Sequence, residues 1–398
     1  MKLSSKNLKV LIIFGVILTA TNLRAPLTDV PPILDFIIAQ FNLNPTQAGL
    51  IITIPLILFS VLSPLAPKIS FLFGIEKTIL VSLVILTLGI LLRSINQLYF
   101  FYFGISLIGI GIAISNVLVP ALIKKYIPNM IPLITAFYTL SMGVFAAISS
   151  SLSIPVLNWI NTYNSVYSTG TLISIIILPL ISIVFWIICL RFCYSNTNKH
   201  VSLKHKTNSL RILKSTLAWN LTFYIGVNSF LTYSIMMWLP LILNDIGYSK
   251  VNAGFIHGIF ILMTSIPSLV MLPFLSKVNH HKLFAPSSGV LIFIGFLGLQ
   301  FMPSFAIFWS IVLGFGTGVG FLLALTFMGL RGKNTEVTSI LSAKSQTFGY
   351  ALAAIGPILI GYLHDHFNNW MEPNILCMFL AISLILTGWF ASQNKVIE

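Results

Sequence analysis

A chain of 398 residues that is 57% hydrophobic and 8% charged, with a mean hydropathy of +0.97, excludes an ordinary soluble globule, in which about a quarter of residues carry charge. Its 22 basic residues against 8 acids leave a net charge of +14, which would suggest nucleic acid in a soluble protein, so the positions of the charges decide their meaning. Cys189, Cys193 and Cys377 lie in or beside apolar runs and have no metal-ligand spacing beyond one i, i+4 pair, so they read as packing residues.

Residues 1–9 are polar and basic and lead into an apolar run. No small-x-small cleavage site closes that run, which marks an uncleaved first helix. Apolar stretches long enough to cross a bilayer then recur at about 10–37, 46–66, 76–93, 98–123, 131–156, 167–193, 217–243, 251–275, 284–302, 304–328, 338–362 and 372–392. The expectation is an all-α membrane protein of twelve transmembrane helices. Within the first of them stands T-N-L-R-A-P-L-T-D-V-P-P-I-L-D (21–35), charged and broken by proline. At about 1.5 Å per residue Arg24 falls roughly 20 Å along the helix, where a charge costs several kcal/mol or more and marks a protein interior or a watery cavity.

An even number of spans puts both termini on one side. With that side cytoplasmic, 18 of the 22 lysines and arginines fall in inner segments and only Arg93 and Lys250 in outer ones, leaving Arg24 and Lys344 in the membrane. The surplus charge is therefore a topology signal with a weak attraction to anionic lipid. The longest polar stretch, 194–215, carries Lys199, Lys204, Lys206, Arg211 and Lys214 and divides the chain into bundles at 1–193 and 216–398.

The two halves are alike. A shift of 205 residues lays Gly109 and Gly111 on Gly314 and Gly316, and Ala48-Gly49 on Ala253-Gly254. Allowing one turn of insertion, S-P-L-A-P-K (63–68) falls on M-L-P-F-L-S-K (271–277). Two parallel six-helix repeats describe a major-facilitator-type transporter with its site at the midplane between them.

Four stretches then resemble the cyanate permease and nitroimidazole transporter branch of the major facilitator superfamily: 21–34, N-V-L-V-P-A-L-I-K-K-Y-I-P (116–128), L-A-W-N-L-T-F-Y-I-G-V-N-S-F-L-T-Y-S-I-M-M-W-L-P (217–240) and S-A-K-S-Q-T-F-G-Y-A-L-A-A-I-G-P (342–357). The resemblance covers nearly the whole chain and implies secondary transport of small polar or anionic solutes. Lys344 stands where that family usually has methionine or a small apolar residue, and Asn228 where it often has glutamine.

Arg24 keeps its proton in any protein environment, so it suits bidentate recognition of a carboxylate or compact oxyanion; otherwise it tethers carbonyls near Pro26 and Pro31. Asn22 either meets substrate or satisfies the same broken backbone. Asn116 shares a face with Pro120, and Thr135, Tyr138 and Met142 form a stripe that lines a cavity or joins helices. The seventh span supplies Asn228, Tyr233 and Trp238, the last readable also as an interfacial anchor. Gln346 is a substrate-contact candidate.

His257 titrates near neutrality and is the better-placed proton relay, or else a histidine bonded between helices. Asp29 is the one acid well inside a span. Lys344 either snorkels or adds a second cavity charge. Gly314, Gly316, Gly318 and Gly320 lack the lysine-serine pair of a phosphate loop and read as packing glycines. With no nucleophile triad, zinc signature or nucleotide-binding domain, the chain reads as a transporter and not as an enzyme, with no cofactor, metal or nucleic-acid partner. Its expected partners are a small solute, the bilayer and coupling protons, and it is expected to act as a monomer. A drug exporter of the same fold is the alternative, which would favour a large apolar cavity with an embedded carboxylate.

Overall fold

The computed structural model describes residues 5–163, 175–193, 215–271, 281–331 and 335–393. Among them, eleven helices are long and apolar enough to cross a membrane, and the shorter Ile177–Phe192 makes the twelfth expected. In chain order they are α1 (Asn7–Phe41, interrupted), α2 (Pro45–Leu62), α3 (Ile75–Arg93), α4 (Leu98–Tyr126), α5 (Ile131–Tyr163) and α6 (Ile177–Cys193), then α7 (Thr216–Asp245), α8 (Lys250–Met263), α9 (His281–Phe301), α10 (Ala306–Arg331), α11 (Thr335–Phe367) and α12 (Met371–Ala391). All but one residue of the expected linker 194–215, and of the repeat match all of 271–277 beyond Met271, lie outside the described residues.

Local chemistry sets the helix ends. Asn44 caps α2 through a capping box with Gln47, and Pro45 fills the first helical position, where no amide hydrogen is needed. Ser215 and Ser249 cap α7 and α8 by accepting from the amides of Ala218 and Asn252. Asn42 ends α1 in the left-handed region at φ 51°.

The internal repeat is physical contact as well as sequence. Gly109 of α4 packs on Pro55 and Gly314 of α10 on Phe260; Gly111 packs on Leu86 and Gly316 on Leu291, all related by an offset of 205. Glycine is required because backbones approach too closely for a side chain: a methyl at Gly111 would lie 2.7 Å from Leu86 Cβ. The helices form two pseudo-symmetric bundles. They meet along two seams, α2 against α11 and α5 against α8, with Gly49 on Pro357 and its counterpart Gly254 beside the Ser150 carbonyl.

At the face opposite the termini, α1 meets α7 and α8. Lys250 Nζ is 3.1 Å from Asp35 Oδ2, and Asn244 Nδ2 donates to the same oxygen at 3.3 Å. Beside them Thr46 donates to Asp365 of α11 through its amide (3.0 Å) and hydroxyl (2.6 Å). These bonds join the two bundles at that face.

Candidate functional site

The first helix is discontinuous: Ser5–Ala20 is helical, residues 21–24 turn, and a short helix Ala25–Thr28 and a 3₁₀ turn Pro31–Ile33 follow before Leu34–Phe41. Pro26, Pro31 and Pro32 donate no amide hydrogen, so the run cannot continue as one helix. In an apolar surrounding each freed carbonyl needs a donor. Leu18 O accepts from Thr21 Oγ1 (2.8 Å), Asn22 Nδ2 (2.8 Å) and Ser182 Oγ (2.9 Å). Ala25 O accepts from Ser149 Oγ at 3.0 Å, and Thr28 Oγ1 donates to Ala146 O at 2.9 Å.

Arg93 completes this brace. Counted by sequence with the outer segments, it is the last residue of α3 and fully buried. Its Nη1 donates to Pro26 O at 2.5 Å and its Nη2 to Asp29 Oδ2 at 2.5 Å. A charge can stay there because Asp29, itself buried, neutralises it in a bidentate arrangement. The tether to the proline-broken backbone, one of the two roles open to Arg24, thus belongs to Arg93.

Arg24 points elsewhere. From the turn preceding Ala25 its Nη1 donates to Thr264 Oγ1 of the other bundle at 2.8 Å. Thr264 stands where α8 stops, at the turn before the short helix Pro267–Val270, as α2 stops at Leu62 before Ala66–Phe73. Two interrupted helices therefore meet at the centre, one bringing a cation and the other a hydroxyl. Around them Ser229, Thr232, Tyr233, Thr317, Gly318 and Phe321 line a cavity of about 10 Å³. Among the described residues lining it there is no carboxylate, and none pairs with Arg24.

The Arg24 charge also acts on the hydroxyls of Tyr138, Tyr233 and Tyr350, which come from α5, α7 and α11. Tyr138 donates to Asn116 Oδ1 at 3.0 Å, which brings the Asn116 and Tyr138 candidates together. The Tyr233 and Tyr350 rings meet edge-on, with centroids 6.5 Å apart.

Other candidates lie apart from this cluster. Asn22 is wholly buried and faces α6, giving Ser182 Oγ a hydrogen bond at 2.8 Å. Asn228 is buried against α10, with Nδ2 on Thr317 O at 3.1 Å. Trp238 is no interfacial anchor: it is fully buried, bonds Pro357 O at 2.9 Å and packs on Trp370. Gln346 donates to Ser342 Oγ one turn back on its own helix. Lys344 rests over the Trp219 ring, 4.0 Å from its centroid, and that ring also packs on the exposed Phe348. His257 is fully buried in the α5–α8 seam, with Nδ1 2.6 Å from Ser150 Oγ.

Sequence reasoning missed Thr264, Thr232, Ser229, Thr317 and Tyr350. Hydroxyl residues are frequent in apolar helices and carry no periodic signal, although the T-S-I-P run at 264–267 marks a break.

A sequence profile of the Major Facilitator Superfamily matches residues 11–357. The 2-nitroimidazole transporter of Escherichia coli (strain K12) is 36% identical over 396 residues, covering 100% of this chain and 98% of that protein. The cyanate transport protein CynX of the same organism is 23% identical over 364 residues, 89% of this chain and 90% of that one. The crystal structure of a D-xylose-proton symporter superposes with a TM-score of 0.71 over 97% of this chain and 99% of its own, at 13% identity, a likeness of fold.

Proposed function

This chain belongs to the major facilitator superfamily, and from that premise we propose that it is a secondary transporter carrying a small polar or anionic solute by alternating access at the Arg24 cavity. One observation carries the reading. Arg24 sits between the bundles with its guanidinium on Thr264 and no carboxylate beside it among the described residues, so the partner that completes its charge is a bound anion. Both bundles contribute to the site, and rocking one against the other exposes it to alternate sides.

Around this core, bundles at 1–193 and 216–398 are joined by a cytoplasmic stretch at 194–215, with both termini cytoplasmic in the plasma membrane, as the distribution of lysine and arginine supports. Protons are the coupling ion, and His257, placed in a seam between bundles, is the candidate relay. The protein acts as a monomer, and its chemistry is transport without catalysis. The relative named as a 2-nitroimidazole transporter favours a second reading, a carrier of a neutral drug-like compound, in which Arg24 would meet an acceptor such as a nitro group.

Reconstitution into proteoliposomes separates these readings. Uptake of compact anions that saturates, is lost in Arg24→Gln and responds to an imposed pH gradient is the expected result. Transport confined to neutral compounds would overturn the anion reading. Cysteines placed in 194–215 should react with an impermeant thiol reagent from the cytoplasmic side only, and labelling from outside would reverse the orientation.

A further inference from the structure

Resting on the reading of Arg24 as the substrate contact, we infer that Tyr233 and Tyr350 are specificity-determining donors beside it, and that the site takes a singly charged oxyanion head such as a carboxylate in preference to a linear pseudohalide.

The inventory of groups leads there. Of the three tyrosines on which the Arg24 charge acts, Tyr138 already gives its hydroxyl to Asn116. Tyr233 and Tyr350 have no hydrogen-bond partner among the described residues. Tyr233 lines the Arg24 cavity and the Tyr350 ring lies against it, so an anion held at Arg24 finds two uncommitted phenols beside it. Their aim is fixed by packing. Tyr350 lies edge-on to Phe59 of α2, centroids 5.7 Å apart at 77°, and edge-on to Tyr233 at 64°. The two rings belong to α7 and α11 while Arg24 belongs to α1, so the donors reach the centre from separate elements.

Charge and valence narrow the class. The site offers one cation, and the nearest buried acid along α1, Asp29, is already committed to Arg93. A monoanion balances that single charge; a dianion would leave one negative charge buried and unpaired. The guanidinium is a flat fork of donors that matches two oxygens side by side, and those oxygens keep further lone pairs for the two phenols. A linear pseudohalide accepts only at its ends and cannot hold the fork and two lateral donors together. The central space of about 10 Å³ is no more than a single water occupies, so the substrate head enters by replacing Thr264 on Arg24. An oxyanion can make that exchange because its charge outbids a neutral hydroxyl.

The test uses the full chain, purified and also reconstituted, with acetate, benzoate, cyanate, succinate and benzamide as probes. Ligand-induced thermal shift and inhibition of uptake are read on the same preparations. The monocarboxylates should bind at least about ten-fold more tightly than cyanate and succinate, and benzamide least. Tyr233→Phe and Tyr350→Phe should each weaken acetate binding about ten-fold, the loss of one hydrogen bond to a charged group, and leave cyanate binding and the unliganded melting temperature in place. Cyanate bound as tightly as acetate, or full acetate affinity in both Phe variants, overturns the inference while leaving Arg24 as an anion contact. Binding of benzamide alone, with no anion bound, overturns both.

Discussion

Arg93 closes α3 and yet is fully buried, its guanidinium 2.5 Å from Asp29 and 2.5 Å from the Pro26 carbonyl of α1. Removing one partner of a buried pair leaves the other charge stranded, so Arg93→Ala should destabilise the protein by about 3–5 kcal/mol. Asp29→Asn combined with Arg93→Met removes both charges and should recover part of that loss. Thermal unfolding in detergent measures both variants. An unchanged melting temperature for Arg93→Ala would show that α1 holds its broken shape without the brace.

Arg24 obeys a different rule, because its protein partner is a neutral hydroxyl. Arg24→Gln should abolish anion binding, a loss of about 1.5–3 kcal/mol or more, while the amount of folded protein stays near wild type. Lysine keeps the charge and loses the fork, so Arg24→Lys should retain partial transport of a compact anion. Expression level and ligand-induced thermal shift on the same samples decide; an unaltered shift in Arg24→Gln would remove Arg24 from the site.

The seams give a matched pair of substitutions. A methyl at Gly49 would lie 2.7 Å from Pro357 O and 2.9 Å from Ile358 Cα, whereas one at Gly254 would meet Pro32 Cβ at 3.4 Å, an ordinary contact. Gly49→Ala should therefore cost about 1–3 kcal/mol through overpacking, and Gly254→Ala should stay within about 0.5 kcal/mol of wild type. Equal melting temperatures for the two variants would contradict the packing described for α2 and α11.

His257 joins α8 to Ser150 of α5. If it relays the coupling proton, His257→Ala should remove the response of uptake to an imposed pH gradient more than it changes substrate affinity. Uptake by the variant that still responds fully to the gradient would leave His257 as a seam residue only.

Much of this was legible in the chain itself, because a bilayer imposes simple rules on length and polarity. The spans follow from hydropathy, and the offset of 205 that aligns Gly109 with Gly314 marks real helix contacts, since only glycine admits such approach. Arg24 stood out because a charge so deep in an apolar run is costly. Arg93 did not: at the end of an apolar run, a buried arginine has the same sequence signature as one in a polar loop. Thr264 and Tyr350 escaped for another reason. Thr264 meets Arg24 across 240 positions of chain and Tyr350 meets Tyr233 across 117, and nothing local in either residue's neighbourhood encodes it.

The two seams are built from unlike materials. Along α2 and α11 the hydroxyls of Thr53 and Ser60 donate to backbone carbonyls, Ala354 O at 2.8 Å and Thr347 O at 2.7 Å, and Gly49 lets backbone lie on backbone. Along α5 and α8 side chain also meets side chain, Ser150 with His257 and, in the short helix after α8, Thr139 with Ser268, beside a longer bond from Ser150 Oγ to Gly254 O at 3.4 Å. A rocking motion that opened the second seam would exchange partners among the side chains of Ser150, His257, Thr139 and Ser268, whereas one that opened the first would take hydroxyl donors from two backbone carbonyls.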